Sequence, residues 1–194
     1  IKSNKNVEAI PYLAEAIKGS KGAQKVRLNC LLGQLYEDAG EKQLAYEAFK
    51  RAGSSSGSTY RTKFNARIKQ SAVFQGTNIM PEVKALKRMT HYDRNKEYLD
   101  QVYYAIGNLY LSRLDTVNAV ANYKLAAEKS TRNGIDKAIS QLTLGGIYFA
   151  QRKYDLAQPC YSEAIPLLSE AYPNFRELKK RSDVLDELAV YAGN

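Results

Sequence analysis

One histidine, His91, and two cysteines, Cys30 and Cys160, stand in 194 residues. A zinc site built from histidine and cysteine needs more ligands than that, and neither a metal nor a cofactor is expected. The two cysteines lie far apart in sequence and read as small buried or half-buried thiols rather than a disulfide pair. Long apolar runs are missing as well. No stretch approaches the roughly 20 apolar residues of a membrane-spanning helix, and none has the charged-then-apolar layout of a signal peptide. The sequence begins at Ile1, so a targeting segment or lipid anchor is expected upstream if there is one.

Catalytic motifs are also absent. There is no phosphate-binding loop ending in Lys-Ser/Thr, no dinucleotide fingerprint, no His-Glu-x-x-His and no Gly-x-Ser-x-Gly. Adjacent carboxylates such as Glu37 with Asp38, or Asp183 with Asp186 and Glu187, read as solvated helix surface. The chain is therefore expected to be non-catalytic. Acidic residues are scarce in one place. They are missing between Glu47 and Glu82, where Lys50, Arg51, Arg61, Lys63, Arg67 and Lys69 all fall, within a chain of net charge +9. As a surface this interval would draw an acidic protein face, nucleic acid or an anionic polymer. The plainer reading is a solvated helix whose anionic neighbours lie on the next repeat. Nucleic-acid binding would want exposed aromatics interleaved with the cations, whereas Tyr60 and Phe64 fall on a four-residue apolar stripe with Ile68 and Ala72, which counts against it.

What is present is a repeat. Gly33, Gly107 and Gly145 each follow an aliphatic residue and precede, by three, a tyrosine: Tyr36, Tyr110 and Tyr148. Twelve residues after each glycine stand Ala45, Ala119 and Ala157; sixteen after, Phe49, Tyr123 and Tyr161; nineteen after, Ala52, Ala126 and Ala164. Such a set of matches has a chance on the order of 10⁻⁵ per copy at ordinary residue frequencies. The interval from Gly33 to Gly107 is roughly twice that from Gly107 to Gly145, leaving room for one diverged unit of about 37 residues. Glycine and the first alanine would let two antiparallel helices approach closely, with the aromatics filling the space beside that contact.

The pattern is that of the tetratricopeptide repeat, which the chain resembles over nearly its whole length. The fold expected is all-α, a tetratricopeptide-like right-handed superhelix of antiparallel helix hairpins, in one solenoid over 1–194. Within it, repeats are expected over 24–56, 97–131 and 135–169 and a diverged repeat over 58–94. A half hairpin over 1–20 would present Ala9, Leu13 and Ala16. A terminal helix or cap over 174–192 would carry Leu178, Val184, Leu185, Leu188 and Ala189 on one stripe.

In tetratricopeptide proteins the first helix of each hairpin lines a groove. The resemblance places there Cys30, Gln34 and Glu37, then Tyr104, Asn108 and Leu111, then Leu142, Gly146 and Phe149. Tyr104, Leu142 and Phe149 read either as a track for an extended peptide or partner helix, or as core, with Leu142 and Phe149 packed on the terminal helix. Family members that grip a C-terminal carboxylate use paired Lys and Asn here, and this chain has only Asn108 to offer.

A narrower resemblance rests on the run from Asn95 to Gly107 (Asn95-Lys96-Glu97-Tyr98-Leu99-Asp100-Gln101-Val102-Tyr103-Tyr104-Ala105-Ile106-Gly107), with Tyr123-Lys124-Leu125-Ala126, Lys129-Ser130-Thr131, Lys137-Ala138, Ile147-Tyr148-Phe149 and Tyr172-Pro173-Asn174. These resemble tetratricopeptide lipoproteins of the Bacteroidetes envelope linked to gliding motility and type IX secretion. The resemblance implies an outer-membrane lipoprotein facing the periplasm, acting as a protein-binding assembly scaffold. The alternatives are a basic superhelix that binds nucleic acid or anionic envelope polymer, and an appendage to an enzyme encoded outside these residues.

Overall fold

The computed structural model describes residues 3–192, and side chains from 7 to 191. Among the described residues there are ten α-helices and no strand. The helices are α1 (Ser3–Lys18), α2 (Gly22–Asp38), α3 (Lys42–Ser54), α4 (Tyr60–Ala72), α5 (Met80–Met89), α6 (Leu99–Ser112), α7 (Thr116–Lys129), α8 (Ile135–Ala150), α9 (Tyr154–Ala164) and α10 (Phe175–Ala192), with 3-10 turns at Asp93–Tyr98 and Ile165–Leu167. They form two compact units, Ile1–Glu82 and Val83–Asn194, whose boundary falls inside α5.

In the first unit α2 and α3 pack as a hairpin, with α1 against α2 and α4 against α3. The turn between α2 and α3 is too short for any arrangement of neighbours but an antiparallel one. Its core includes two clusters, Val26, Ala52 and Ala66 in one and Ala45, Phe49 and Val73 in the other. In the second unit α6 pairs with α7 and α8 with α9, α7 packs on α8, and α10 packs on α9. One cluster, including Ala119, Tyr123, Leu144, Tyr148, Ala157, Tyr161 and Leu185, runs through it.

The glycines show what holds each hairpin together. A methyl group on Gly33 would stand 2.6 Å from a ring carbon of Phe49, and one on Gly107 would stand 2.6 Å from a ring carbon of Tyr123. On Gly145 it would meet the Cys160 Cβ and the Tyr161 ring, each at 2.9 Å. All three rings are 0–1% exposed. The ring sixteen residues on therefore lies directly on the glycine, and the expectation that glycine meets the alanine while the ring fills space to the side is corrected. The alanines at both positions are fully buried all the same, because a larger side chain there would push a neighbouring helix away.

The turn inside each hairpin repeats as well. Seven residues after the glycine the backbone turns left-handed, at Gly40 (φ 80), Leu114 (φ 60) and Arg152 (φ 60). In each case that residue's N–H donates to the carbonyl three back, from Glu37, Leu111 and Phe149. The next N–H donates to the carbonyl of the repeat tyrosine, Tyr36, Tyr110 or Tyr148, at 2.8, 3.0 and 2.9 Å. This pair of bonds is a Schellman cap, which favours glycine. Leucine in that conformation carries about 1–2 kcal/mol of strain, and Leu114 is 87% exposed, so its side chain gains little from packing. Leu114→Gly is expected to raise stability by about 0.5–1 kcal/mol, the strain relief less the entropy glycine adds to the unfolded chain. Urea denaturation of the two proteins measures it.

Three sequence expectations are revised by burial. On α4, Phe64 is buried but Tyr60 and Ala72 are exposed, and the inward face is instead Phe64, Ala66, Gln70 and Ser71. A strict four-residue spacing drifts around a helix of 3.6 residues per turn, which takes the ends of that stripe out of the core. α4 has no glycine; its small buried residues are Ala66 and Ser71, and the Ser71 hydroxyl donates to the Ile68 carbonyl at 2.6 Å. Ala9 and Ala16 of α1 are exposed, and of the α10 stripe only Leu185 is buried, with Leu178 half-buried and Val184, Leu188 and Ala189 exposed.

Candidate functional site

Helices α6 and α8 lie beside one another in the second unit and are tied by two polar contacts. The Gln101 amide donates to Asp136 at 3.2 Å, and the Tyr104 and Thr143 hydroxyls are 3.2 Å apart. The α6 end of this pair is fixed from below by a buried carboxylate. Asp100, 1% exposed, accepts from the Ser130 hydroxyl at 3.0 Å and so joins the start of α6 to the end of α7. A carboxylate in the first turn of a helix also meets the positive end of its dipole.

On the face that results, Tyr104, Leu111, Leu142 and Phe149 are half-buried, each resting on the core cluster beneath. Tyr104 sits 5.4 Å from the Tyr123 ring at a tilt of 46°. Asn108 is exposed, and its Oδ1 accepts the Tyr123 hydroxyl at 2.7 Å. That bond uses the amide oxygen and leaves the N–H groups of this exposed side chain as donors. Phe149 is different. Arg181 of α10 stands 4.1 Å over its ring, donating at the same time to the Tyr161 hydroxyl at 3.2 Å, and Tyr154 meets the ring edge-on at 5.4 Å. A ring held by a cation on one side and an aromatic on another is packing within the unit. Gly146, also placed on this face by the repeat register, lies near the Tyr161 hydroxyl.

Gln34 and Glu37 belong to the first unit. Gln34 donates to Asp38 at 3.1 Å on the surface of α2, and Glu37 is half-buried on the same helix. Cys30 is half-buried beside Val26, Ala52 and Ala66, and burial pushes its thiol pKa up while Lys69 draws it down.

The six cations of the acid-free interval do not stand as one open surface. Arg67 pairs with Glu82 at 2.8 Å, the carboxylate whose side chain is only 7% exposed and which also accepts the Tyr46 hydroxyl at 2.6 Å. Burial, followed by this bond to Glu82, raises the Tyr46 pKa. Arg51 donates to Asn29 at 3.3 Å, Arg61 lies 4.7 Å over Phe64, and Lys69 lies 5.8 Å from the centre of Phe49. Lys50 and Lys63 are exposed.

Two groups in the second unit give it a pH dependence. Cys160 is pushed up to about 11 from 9.0, first by burial and then by Glu163, and burial followed by Tyr104 raises the Tyr123 hydroxyl in the same direction. Both groups are neutral when protonated, and both hold their protons more tightly folded than unfolded. The Cys160 contribution is therefore whole below pH 9 and lost as pH rises through about 11, while that of Tyr123 begins to fall only above 10.0. The melting temperature is expected to be level from pH 7 to about 9 and to fall above it. Cys160→Ala should reduce the fall.

Sequence reasoning reached the α6 and α8 positions through the repeat register. It weighed Phe149 as packed on the terminal helix, which the Arg181 contact bears out, and it missed Asp100 and the left-handed turn. Only Gly40 among the three turn residues carries a turn signal in its identity.

Residues 26–54 match the tetratricopeptide repeat family model, a span that begins in the first turns of α2 and ends with α3. No curated protein matches the chain. With that match, the glycine-to-ring contact repeated in α2–α3, α6–α7 and α8–α9, and the shared cap between their helices, the fold of the described residues is all-α, built from tetratricopeptide-type helix hairpins.

Proposed function

We propose that the chain is a non-catalytic scaffold that binds a protein partner through the α6/α8 face, at Tyr104, Asn108, Leu111 and Leu142. The observation that carries this reading is the combination at one place of half-buried apolar side chains with an exposed amide whose orientation Tyr123 fixes. Apolar residues supply contact area, and an exposed amide N–H supplies a donor for the backbone of an extended segment. Phe149 drops out of the set because Arg181 and Tyr154 already cover it.

The resemblance of the 95–107 run and its companions to Bacteroidetes envelope lipoproteins supports placing this scaffold on the periplasmic face of the outer membrane, in secretion or gliding-type machinery. The internal pairing of Arg51, Arg61, Arg67 and Lys69 weighs against the nucleic-acid or anionic-polymer alternative.

The test is affinity capture from solubilised native envelope, comparing the wild-type protein with Tyr104→Ala/Leu111→Ser. Asn108 is left intact, since its loss would strand the buried Tyr123 hydroxyl. A specific captured protein that disappears with the double variant, at unchanged circular dichroism, is the expected result. An identical captured set from both proteins would remove the α6/α8 face as the binding site.

A further inference from the structure

Helix α7 has two apolar faces. One turns inward with Ala119, Tyr123 and Ala126, all fully buried. The other faces water. Val117 is 81% exposed, and Leu114, in the turn just before the helix, is 87% exposed. A surface helix ordinarily sets charged and polar residues opposite its buried stripe, so a second apolar face is an excess that the fold does not use.

Val117 stands in one wall of an open groove of about 420 Å³, with Leu114 in the turn that leads into that wall. Val117 and Val120 of α7 line it on one side, with Tyr148 of α8 and Leu156 of α9 opposite. The volume is in the range of clefts that accept side chains of a ligand. Leu114 adds a second peculiarity. It occupies a left-handed backbone position where the first hairpin has Gly40, and it does so without burial. The same backbone cap holds exposed Arg152 in that conformation, so what sets Leu114 apart is an aliphatic side chain left in water.

The charged residues lining the groove are Lys124 and Lys153, both cations, and both are exposed. Lys124 lies 5.9 Å from the centre of the Tyr148 ring, which places its charge over the apolar floor. Arg152 is exposed in the adjoining turn. Two carboxylates stand nearby at helix starts, Asp115 and Asp155. Asp115 is engaged in capping α7, accepting from the Asn118 backbone at 3.1 Å and from its side chain at 2.7 Å. The groove itself therefore pairs an apolar floor with positive charge.

We infer that the α7/α9 groove is a second docking site, separate from the α6/α8 face, for a segment of a partner protein in which aliphatic side chains are flanked by Asp or Glu. The aliphatic groups enter between Val117, Val120 and Leu156 and cover Leu114, and the carboxylates meet Lys124 and Lys153. Attraction between unlike charges sets which segments are accepted, and the buried aliphatic area holds them.

The experiment uses two fluorescein-labelled peptides with the same leucine core, one flanked by glutamates and the other by lysines, titrated against the whole chain by anisotropy. The glutamate-flanked peptide is expected to bind. Affinity should fall about tenfold or more in Leu114→Gly/Val117→Ser, and by a similar factor in Lys124→Glu/Lys153→Glu. It should be unchanged in Tyr104→Ala, which separates this site from the α6/α8 face. Since Leu114→Gly relieves backbone strain, loss of binding in a variant whose melting temperature is not lowered cannot be ascribed to unfolding. The inference is overturned if the glutamate-flanked peptide fails to bind, if the lysine-flanked peptide binds equally, or if the groove variants bind like wild type. Two further outcomes overturn it in favour of another occupant: self-association in sedimentation velocity that Val117→Ser abolishes, or binding to phosphatidylglycerol vesicles that the same variants abolish.

Discussion

Gly107→Val is expected to cost about 3 kcal/mol of stability, at the upper end of what overpacking a core site does. The effect is large because the neighbour cannot give way. A Cβ alone would stand 2.6 Å from a Tyr123 ring carbon, and that ring is fully buried with its hydroxyl fixed to Asn108 at 2.7 Å. Valine adds two further carbons at the same place. Gly107→Ala gives a sharper reading of the sign. In a helix with open space beside the glycine, alanine would stabilise by about 1 kcal/mol, whereas here it should destabilise by about 2 kcal/mol. Tyr123→Leu removes the obstructing ring, and in that background Gly107→Ala should be close to neutral or stabilising. Guanidinium denaturation of the four proteins measures the coupling.

The other large effect concerns the Arg67–Glu82 pair. Arg67→Ala is expected to cost about 3 kcal/mol, because it leaves a carboxylate that is 7% exposed without its cation. The Tyr46 hydroxyl, at 2.6 Å, offers a hydrogen bond but no charge. Glu82→Gln should cost less, since the Arg67 side chain is 23% exposed and its charge can reach water. Replacing both by methionine should recover most of the loss, as apolar packing can substitute for a buried pair. The same denaturation experiment, run on the three variants, orders these effects.

The repeat was legible because its slots are defined by size. Glycine, alanine and the ring at sixteen are each constrained by a neighbouring helix, so composition at fixed spacing reports the packing. The sequence did not say which of those residues touch. The ring rests on the glycine, a relation that depends on the rotation of each helix about its axis. Where slots are relaxed, spacing misleads: Tyr60 and Ala72 follow the period on α4 and are nonetheless exposed. Leu114 and Arg152 gave no turn signal, because the two Schellman bonds, made by backbone groups, hold residues that would not choose that conformation. Arg67 and Glu82, fifteen residues apart, could not be paired from a sequence in which the interval between them looks simply basic. The candidate groove residues came from the repeat register, which left Phe149 between groove and terminal-helix packing; the Arg181 contact puts it in the packing, while Asn108 stays exposed.

The claim that the α6/α8 face holds a protein partner is tested most directly by replacing Tyr104 with p-benzoylphenylalanine and irradiating the protein in native envelope. Position 104 keeps an aromatic ring resting beside Tyr123, so the fold is retained. A protein adduct from position 104, absent when the same probe stands at the exposed Glu187 of α10, is the result this account predicts. An adduct from Glu187 with none from position 104 would contradict it.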